Sequence, residues 1–320
     1  MTRVIATLSI IIFCIFAVLL NWGMLIEPRL VEEVRLEAEI PGLPQAWEGK
    51  TVAFIADMQV GMPLGNTDTL WRIIKRIIAE RPALVLIGGD FIYHPTEDDS
   101  LAEARAEFDE EEMAETRILI WRSVSYVAPL VEAGLPVYAV FGNHDYAMET
   151  ESALKLAWVA NELEVVLERA GIQVLRNESV ALQDPGGDSA RQALHLVGVD
   201  AYYPGEANVH QSLADLPPKA PRLVLMHNPQ SFSDIPAGEA PLALSGHTHG
   251  GQIRIPGLYS WSWLSIVREH EVHTDGWIKD FGAPGNRLYV NRGIGFSIFP
   301  VRIHCLPELT WITLRQTARP

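Results

Sequence analysis

VYAVFGNHD, residues 137–145, carries a short apolar run into a glycine, an amide, an imidazole and a carboxylate. The run reads as a buried strand, and the glycine marks its exit. The same sequence of events recurs four times. TVAFIADMQ (51–59) leads into Asp57, Met58 and Gln59; LVLIGGDFIY (84–93) leads into Gly89, Asp90, Phe91, Ile92 and Tyr93. RLVLMHN (222–228) leads into His227 and Asn228, and LALSGHTHG (242–250) leads into Gly246, His247, Thr248, His249 and Gly250. Exits of strands are where α/β folds gather site residues. Carboxylate, amide oxygen and imidazole are hard-to-borderline metal ligands. Each cluster alone is a weak signal, because a lone Asp after a strand is more often a turn residue. Five such exits in one chain argue for a common site.

Helical patterns lie between these strands. Leu70, Ile73, Ile74, Ile77 and Ile78 keep helical spacing over 67–81, and Pro82 ends the segment. Residues 118–131 read as a packed helix, and a further helix is predicted over 150–170 with Gly171 as its cap. Beyond it the chain becomes richer in strands, at 193–199, 222–226, 242–244, 288–291 and 309–314. Turn-rich pieces such as Asp184-Pro185-Gly186-Gly187 separate them. Strand–helix alternation followed mostly by strands predicts an α+β fold of two packed sheets with helices outside.

Composition narrows the function. The 320 residues are about half hydrophobic and carry a formal charge of −15. That charge argues against a nucleic-acid partner held by a basic surface, while carboxylates suit bound cations. Residues 97–115 are dense in Asp and Glu and read as the solvated face of a helical excursion over about 97–133. Cys14 lies in the apolar N-terminal run and Cys305 near the other end, so no disulfide is expected.

Residues 4–26 contain no charge and are long enough to cross a bilayer as a helix. A cleaved signal peptide is the rival reading; the run exceeds a normal signal core and no small-x-small site follows. The expected organisation is an anchor over 1–26, a connector with an entry strand over 27–46, and a catalytic domain over 47–320. Arg3 precedes the run, while Arg29 and Arg35 follow it among Glu27, Glu32 and Glu33, so charge does not set the orientation. The aromatic stretch YSWSWL (259–264) reads either as interfacial or as a packed loop.

The order Asp57-x-Gln59, Gly89-Asp90, Gly142-Asn143-His144-Asp145, His227, Gly246-His247-x-His249 resembles the calcineurin-like metallophosphoesterase superfamily, whose pattern is DxH, GDxx, GNHD, a lone His and GHxH. The resemblance runs from about residue 50 to residue 254. With the N-terminal run and GHTHGGQ it is similar to the membrane-associated bacterial phosphodiesterase branch, which includes lipid-processing enzymes. It implies a four-layer αββα sandwich of two mixed sheets. It also implies two metal ions bridged by Asp90: Asn143, His227 and His247 complete one, and Asp57 and His249 belong to the other. His144 is implied as the phosphate contact and proton donor to the leaving oxygen, with Asp145 in support. Arg292, in Asn291-Arg292-Gly293, is similar to a segment near the site in that branch and is a candidate substrate contact or an ordinary surface arginine.

Gln59 stands where the pattern has His. Gln59 ligates through its amide oxygen, or the site holds one metal, or another residue fills the gap. Purple acid phosphatases resemble this chain here: they lack that histidine and have Tyr three residues after the bridging Asp. The resemblance implies Tyr93 as a phenolate ligand to Fe(III) beside a divalent Fe, Zn or Mn, with two Mn as the alternative. The other reading is a tyrosine packed by the site, its hydroxyl hydrogen-bonded. His94, His195, His210, His270, His273 and His304 fit no motif. The expected activity is hydrolysis of a phosphodiester, pyrophosphate or phosphomonoester, with a lipid-linked substrate suggested by the anchor. The rival class is a degenerate scaffold that kept the fold, favoured by Gln59 and opposed by the other ligands. The oligomeric state is not legible.

Overall fold

A computed structural model describes residues 2–93, 110–185, 193–217, 219–258, 261–264 and 274–317. The acidic stretch up to residue 109, His94, His270, His273, Tyr259 and Ser260 lie outside the described residues. The apolar run forms one helix, α1 (Thr2–Leu25), followed by a single 3-10 turn, Glu27–Arg29. Two six-stranded sheets follow. The first has the order β1 (Glu32–Pro41), β12 (Glu308–Thr317), β2 (Thr51–Ile55), β3 (Leu84–Ile87), β4 (Val137–Ala139), β5 (Gln173–Val174). The second has the order β10 (Gly276–Ile278), β11 (Leu288–Val290), β9 (Ala243–Ser245), β8 (Arg222–Leu225), β7 (His195–Gly198), β6 (Glu178–Ala181). Both are mixed: β12 runs antiparallel to β2, and β6 and β10 are antiparallel edges on parallel neighbours.

The sheets face each other through Phe54, Leu84, Leu86 and Val140 on one side and Leu196, Leu223, Leu225 and Leu244 on the other. Strand residues of the opposite parity point outward, as the two-residue period of a pleated strand requires. Ala53, Ile55, Val85 and Ile87 receive the helices α2 (Thr67–Glu80), α3 (Glu110–Glu132) and α4 (Ala157–Arg169). The outer face of the second sheet is covered by the short α5 (Val209–Leu213) and the turn Pro229–Asp234, with Val209 and Phe232 against Val224 and Val290. The result is the predicted four-layer sandwich.

Several boundaries differ from expectation. The helix predicted from residue 150 begins at Ala157, because Leu156 N–H is drawn back to Tyr146 O at 2.9 Å. α2 ends at Glu80 with Arg81 in the left-handed conformation (φ 51°). The connector is no tether: β1 pairs along its whole length with β12, and Glu27 and Pro28 are buried.

Candidate metal centre

Within the first sheet β2, β3 and β4 are parallel; within the second, β7, β8, β9 and β11 are parallel. Their carboxyl ends meet at one edge of the sandwich, and the predicted clusters converge there. Asp57 spans the two sheets: its N–H donates to Gly89 O at 3.0 Å, and its carboxylate accepts the His247 N–H at 2.9 and 3.1 Å. Asp90 Oδ1 accepts the His144 N–H at 2.9 Å, and Oδ2 lies 3.2 Å from both Gln59 Nε2 and His227 Nε2. Asp57, Gln59, Asp90, His247 and His249 all have positive φ, between 44° and 73°. Non-glycine residues reach that region at a cost, and such strain collects at functional sites. Gly142 and Gly246 permit the approach, because a Cβ on either would strike Asp90 or Asp57.

Two donor groups result. Asp90, His227 and His247 form one, and Asp57, Asp90 and His249 the other; within each, the donor atoms lie within 4.8 Å of one another, and all are buried. Asp90 belongs to both. The orientations fit cations. His227 Nδ1 lies 2.7 Å from Gly88 O, which can only accept, so Nδ1 carries a proton and Nε2 faces Asp90. Asn143 Nδ2 donates to Met148 O at 2.7 Å, which turns Oδ1 inward, and that oxygen is buried with no hydrogen-bond partner among the described residues. Gln59 Oε1 and His249 Nδ1 are likewise buried without one. Buried polar atoms in folded proteins are nearly always paired, and a bound cation would supply a partner for the Asn143 and Gln59 oxygens.

The charges are strongly coupled. Burial pushes Asp57 up to about 7, with the Asp90 charge adding and His227 opposing. Burial also works against ionisation of Asp90, yet His227 and His144 hold it well below the usual carboxylate range. His227 rises to about 9 although burial opposes its charge, because Asp90 is beside it. Burial and the Arg302 charge push His249 well below its ordinary value, leaving the neutral imidazole that ligates metals.

Three expected residues have other surroundings. Asp145 accepts backbone N–H groups of Asp90 (2.8 Å), Phe91 (2.8 Å) and Gly142 (2.9 Å), beneath the loop that carries His144. The Tyr93 ring packs on His144 with centroids 5.2 Å apart, and its hydroxyl is hydrogen-bonded to Glu149. Burial together with the Glu149 charge pushes that phenol up to about 12. Arg292, left open between a substrate contact and an ordinary surface arginine, pairs with Glu308 at 2.8 Å and Glu32 at 2.9 Å.

Sequence reasoning missed Tyr146, Asp200 and Arg176. The Tyr146 hydroxyl donates to Asp200 (2.8 and 2.9 Å), and Arg176 donates to Asp200 at 2.9 Å and to Tyr146 at 2.8 Å. This network ties the loop holding Asn143 and His144 to the exit of β7. Asp200 follows a strand just as Asp57 and Asp90 do, and that signal was available. Tyr203 packs edge-on against His247 with centroids 4.7 Å apart, and nothing in the sequence announces it.

Residues 50–287 match the family model described as Calcineurin-like phosphoesterase. The chain is 31% identical over 246 residues to Phosphodiesterase YaeI of Escherichia coli (strain K12), covering 74% of this chain and 72% of that protein. It is 23% identical to UDP-2,3-diacylglucosamine pyrophosphatase LpxG of Chlamydia trachomatis, covering 86% of each. It is 24% identical to Transmembrane protein with metallophosphoesterase domain of Danio rerio, covering 96% of this chain and 63% of that one.

Proposed function

The chain belongs to the calcineurin-like phosphoesterase family, and from that premise we propose that this phosphoric ester hydrolase cleaves a lipid-linked phosphodiester or pyrophosphate beside a membrane that α1 spans. The observation that carries the reading is the pair of buried donor groups sharing Asp90. Asn143, His227, His247 and Asp90 would hold one ion, and Asp57, His249 and Asp90 the other. Bound there, two cations supply a polarised phosphoryl group, a water of lowered pKa and neutralisation of the charge of an in-line displacement. His144, fixed through its N–H to Asp90, gives a proton to the leaving oxygen. The lipid-linked substrate is supported by the exposed apolar α1 and by two relatives, a pyrophosphatase of a diacylated sugar nucleotide and a transmembrane protein.

Gln59 is the better occupant of the gap in the Asp57–His249 group. Its Nε2 lies 3.2 Å from Asp90 Oδ2 and from His249 Nε2, so a half-turn of the amide would bring Oε1, which lacks a hydrogen-bond partner among the described residues, to those ligands. An amide oxygen suits divalent ions, two Mn among them. The Fe(III)–phenolate reading requires Tyr93 to leave Glu149 and lose a proton held up to about 12.

The test uses full-length protein in detergent. Metal content, the visible spectrum and hydrolysis of bis(p-nitrophenyl) phosphate are measured, then hydrolysis of a lipid-linked diester or pyrophosphate. Two ions per chain, no visible iron–phenolate band and a higher kcat/KM for the lipid-linked ester are expected. A visible band lost in Tyr93→Phe returns the ligand to tyrosine. A strong preference for soluble nucleotides overturns the lipid assignment.

A further inference from the structure

The end of α1 is built into the domain rather than hung from it. Gly23 is the contact: Arg302 N–H donates to Gly23 O at 2.9 Å, and a Cβ at Gly23 would collide with Val301, Arg302 O and Ile303. One turn later Trp22 Nε1 donates to Glu27 Oε2 at 2.9 Å, and Glu27 Oε1 accepts the Cys305 N–H at 2.6 Å. Pro28 O accepts from Asn66 (2.6 Å) and Thr69 (3.1 Å). Nothing in residues 22–30 resembles a free linker. Whatever depth Gly23 takes in a bilayer therefore fixes the depth of residues 301–303 beside it. Gly23 lies within three residues of the end of the uncharged run, so that depth is the interface.

Exposed apolar side chains gather on the domain at this level. Ile298 is 44% exposed, Ile255 43% and Leu258 54%, with Trp22 and Leu25 of α1 at 43% and 50%. Ile255, Leu258, Trp22 and Leu306 form the apolar part of a cavity of about 530 Å³ whose remaining lining is charged or polar, with Glu27, Glu32, Arg254, Asp275, Arg292 and His304. Ile253 bridges to Ile303, and Trp263 packs on Phe299 with centroids 5.8 Å apart, which holds the 253–264 and 298–303 segments together. Apolar residues on loops around the root of a spanning helix mark an interfacial contact surface.

We infer that Ile255, Leu258 and Ile298 form a ledge that enters the interfacial layer of the same bilayer that α1 spans, so that the catalytic domain rests on the membrane. The occupant is the headgroup and upper acyl region of the lipid. The ledge orients the domain by two contacts, helix and loops, rather than one. It rests on the reading of α1 as a spanning helix, and the experiment separates the two.

The full chain is reconstituted in phosphatidylcholine vesicles and spin-labelled at one cysteine at a time. Native Cys14, exposed on α1, reports insertion of the helix, and buried Cys305 is shielded from the label. In a Cys14→Ser background, Ile298→Cys and Leu258→Cys report the ledge, and Val165→Cys on the exposed side of α4 reports solvent. Collision rates with oxygen and with a water-soluble nickel chelate are compared. The expected result is an oxygen-to-nickel ratio several-fold higher at Ile298 and Leu258 than at Val165. Labels at 298 and 258 matching Val165, with Cys14 oxygen-rich, overturn the ledge and leave the anchor standing. A Cys14 label as nickel-accessible as Val165 removes the anchor, and the ledge with it. Neither readout depends on hydrolysis, so the phosphoesterase reading is tested separately.

Discussion

Asp90 has four neighbours that matter: the His144 N–H, Gln59, His227 and the Asp145-held loop beneath it. No other residue belongs to both donor groups. The imidazole of His144 sits on the same loop, and its proposed work is proton delivery to a leaving alkoxide. His144→Asn should then lower kcat about 10²–10⁴-fold on an alkyl phosphodiester. The loss should be much smaller on a p-nitrophenyl ester, whose leaving group needs no proton. Equal losses on both would make His144 a phosphate contact only, and steady-state kinetics with the two esters decides. The acid–base state of the metal-free cluster, as chelation would leave it, is a second consequence. Asp57 is raised to about 7 and Asp145 to about 8, so each binds a proton in the folded protein that it has lost in the unfolded chain, and each loses its stabilising proton as pH rises. His227, raised to about 9, contributes stability below its unfolded value that disappears as pH rises through 9. His249 is depressed and opposes this only below about pH 6.5, where an unfolded histidine gains its proton. Metal-free protein should therefore lose thermal stability between pH 6.5 and 9, while metal-loaded protein, whose cations compensate the carboxylates, should lose less. Thermal melts after chelation and after reloading check the sign.

At the level of elements, the site is a set of strand exits closed by glycines. Gly142 N–H donates to Asp145 and its Cα faces Asp90 and His227. Gly142→Ala should abolish metal binding to the Asp90–His227 group and cut activity at least tenfold, since a methyl there displaces both ligands. Far-UV circular dichroism should change little, because β4 and α4 lie outside the clash. Metal content by atomic emission tests this. The legible part of the fold follows the same logic. β2, β3, β4, β8 and β9 announce themselves as short apolar runs because both of their faces are buried, and the ligand residues are readable because each follows such a run. β5, β6 and β10 are two to four residues long, lie at or next to sheet edges and gain their hydrogen bonds only from distant partners, so no local pattern marks them. The late start of α4 is likewise set by Tyr146 O, a tertiary acceptor. The surroundings of Asp145 are set in a related way: sequence shows which carboxylate stands beside His144, but not that three backbone amides donate to it.

On the scale of the whole molecule, the sequence suggests an anchor, a connector with an entry strand and a domain, and contacts run from the first two to the third. β1 adds an edge strand to the first sheet, and Arg292 is held between Glu32 on β1 and Glu308 on β12, so the start and end of the chain are locked together. The side chain of Arg302, fully buried, donates to the carbonyl oxygens of Arg292, Gly295 and Cys305 and to the Cys305 sulfur, at the level where α1 docks. Removal of residues 1–19 should leave this junction intact, since Gly23, Glu27 and Pro28 remain. Removal of residues 1–30 takes away the acceptors of the Cys305 N–H and the Thr69 hydroxyl and one of the two acceptors of the Asn66 amide. A buried donor left unsatisfied costs about 1–3 kcal/mol. Water reaching the opened surface recovers part of that, so a net loss of about 2–3 kcal/mol is expected, or roughly 3–5 °C in Tm for a domain of this size. Thermal unfolding of the two truncated proteins in the same detergent tests it. Equal melting temperatures would mean that the 22–30 segment merely lies on the domain, and the tight coupling of helix depth to domain depth would go with it. A selective loss in the shorter protein would mean that the membrane-facing end of α1 belongs to the catalytic fold, so that the distance from bilayer to metal centre is set by packing rather than by a tether.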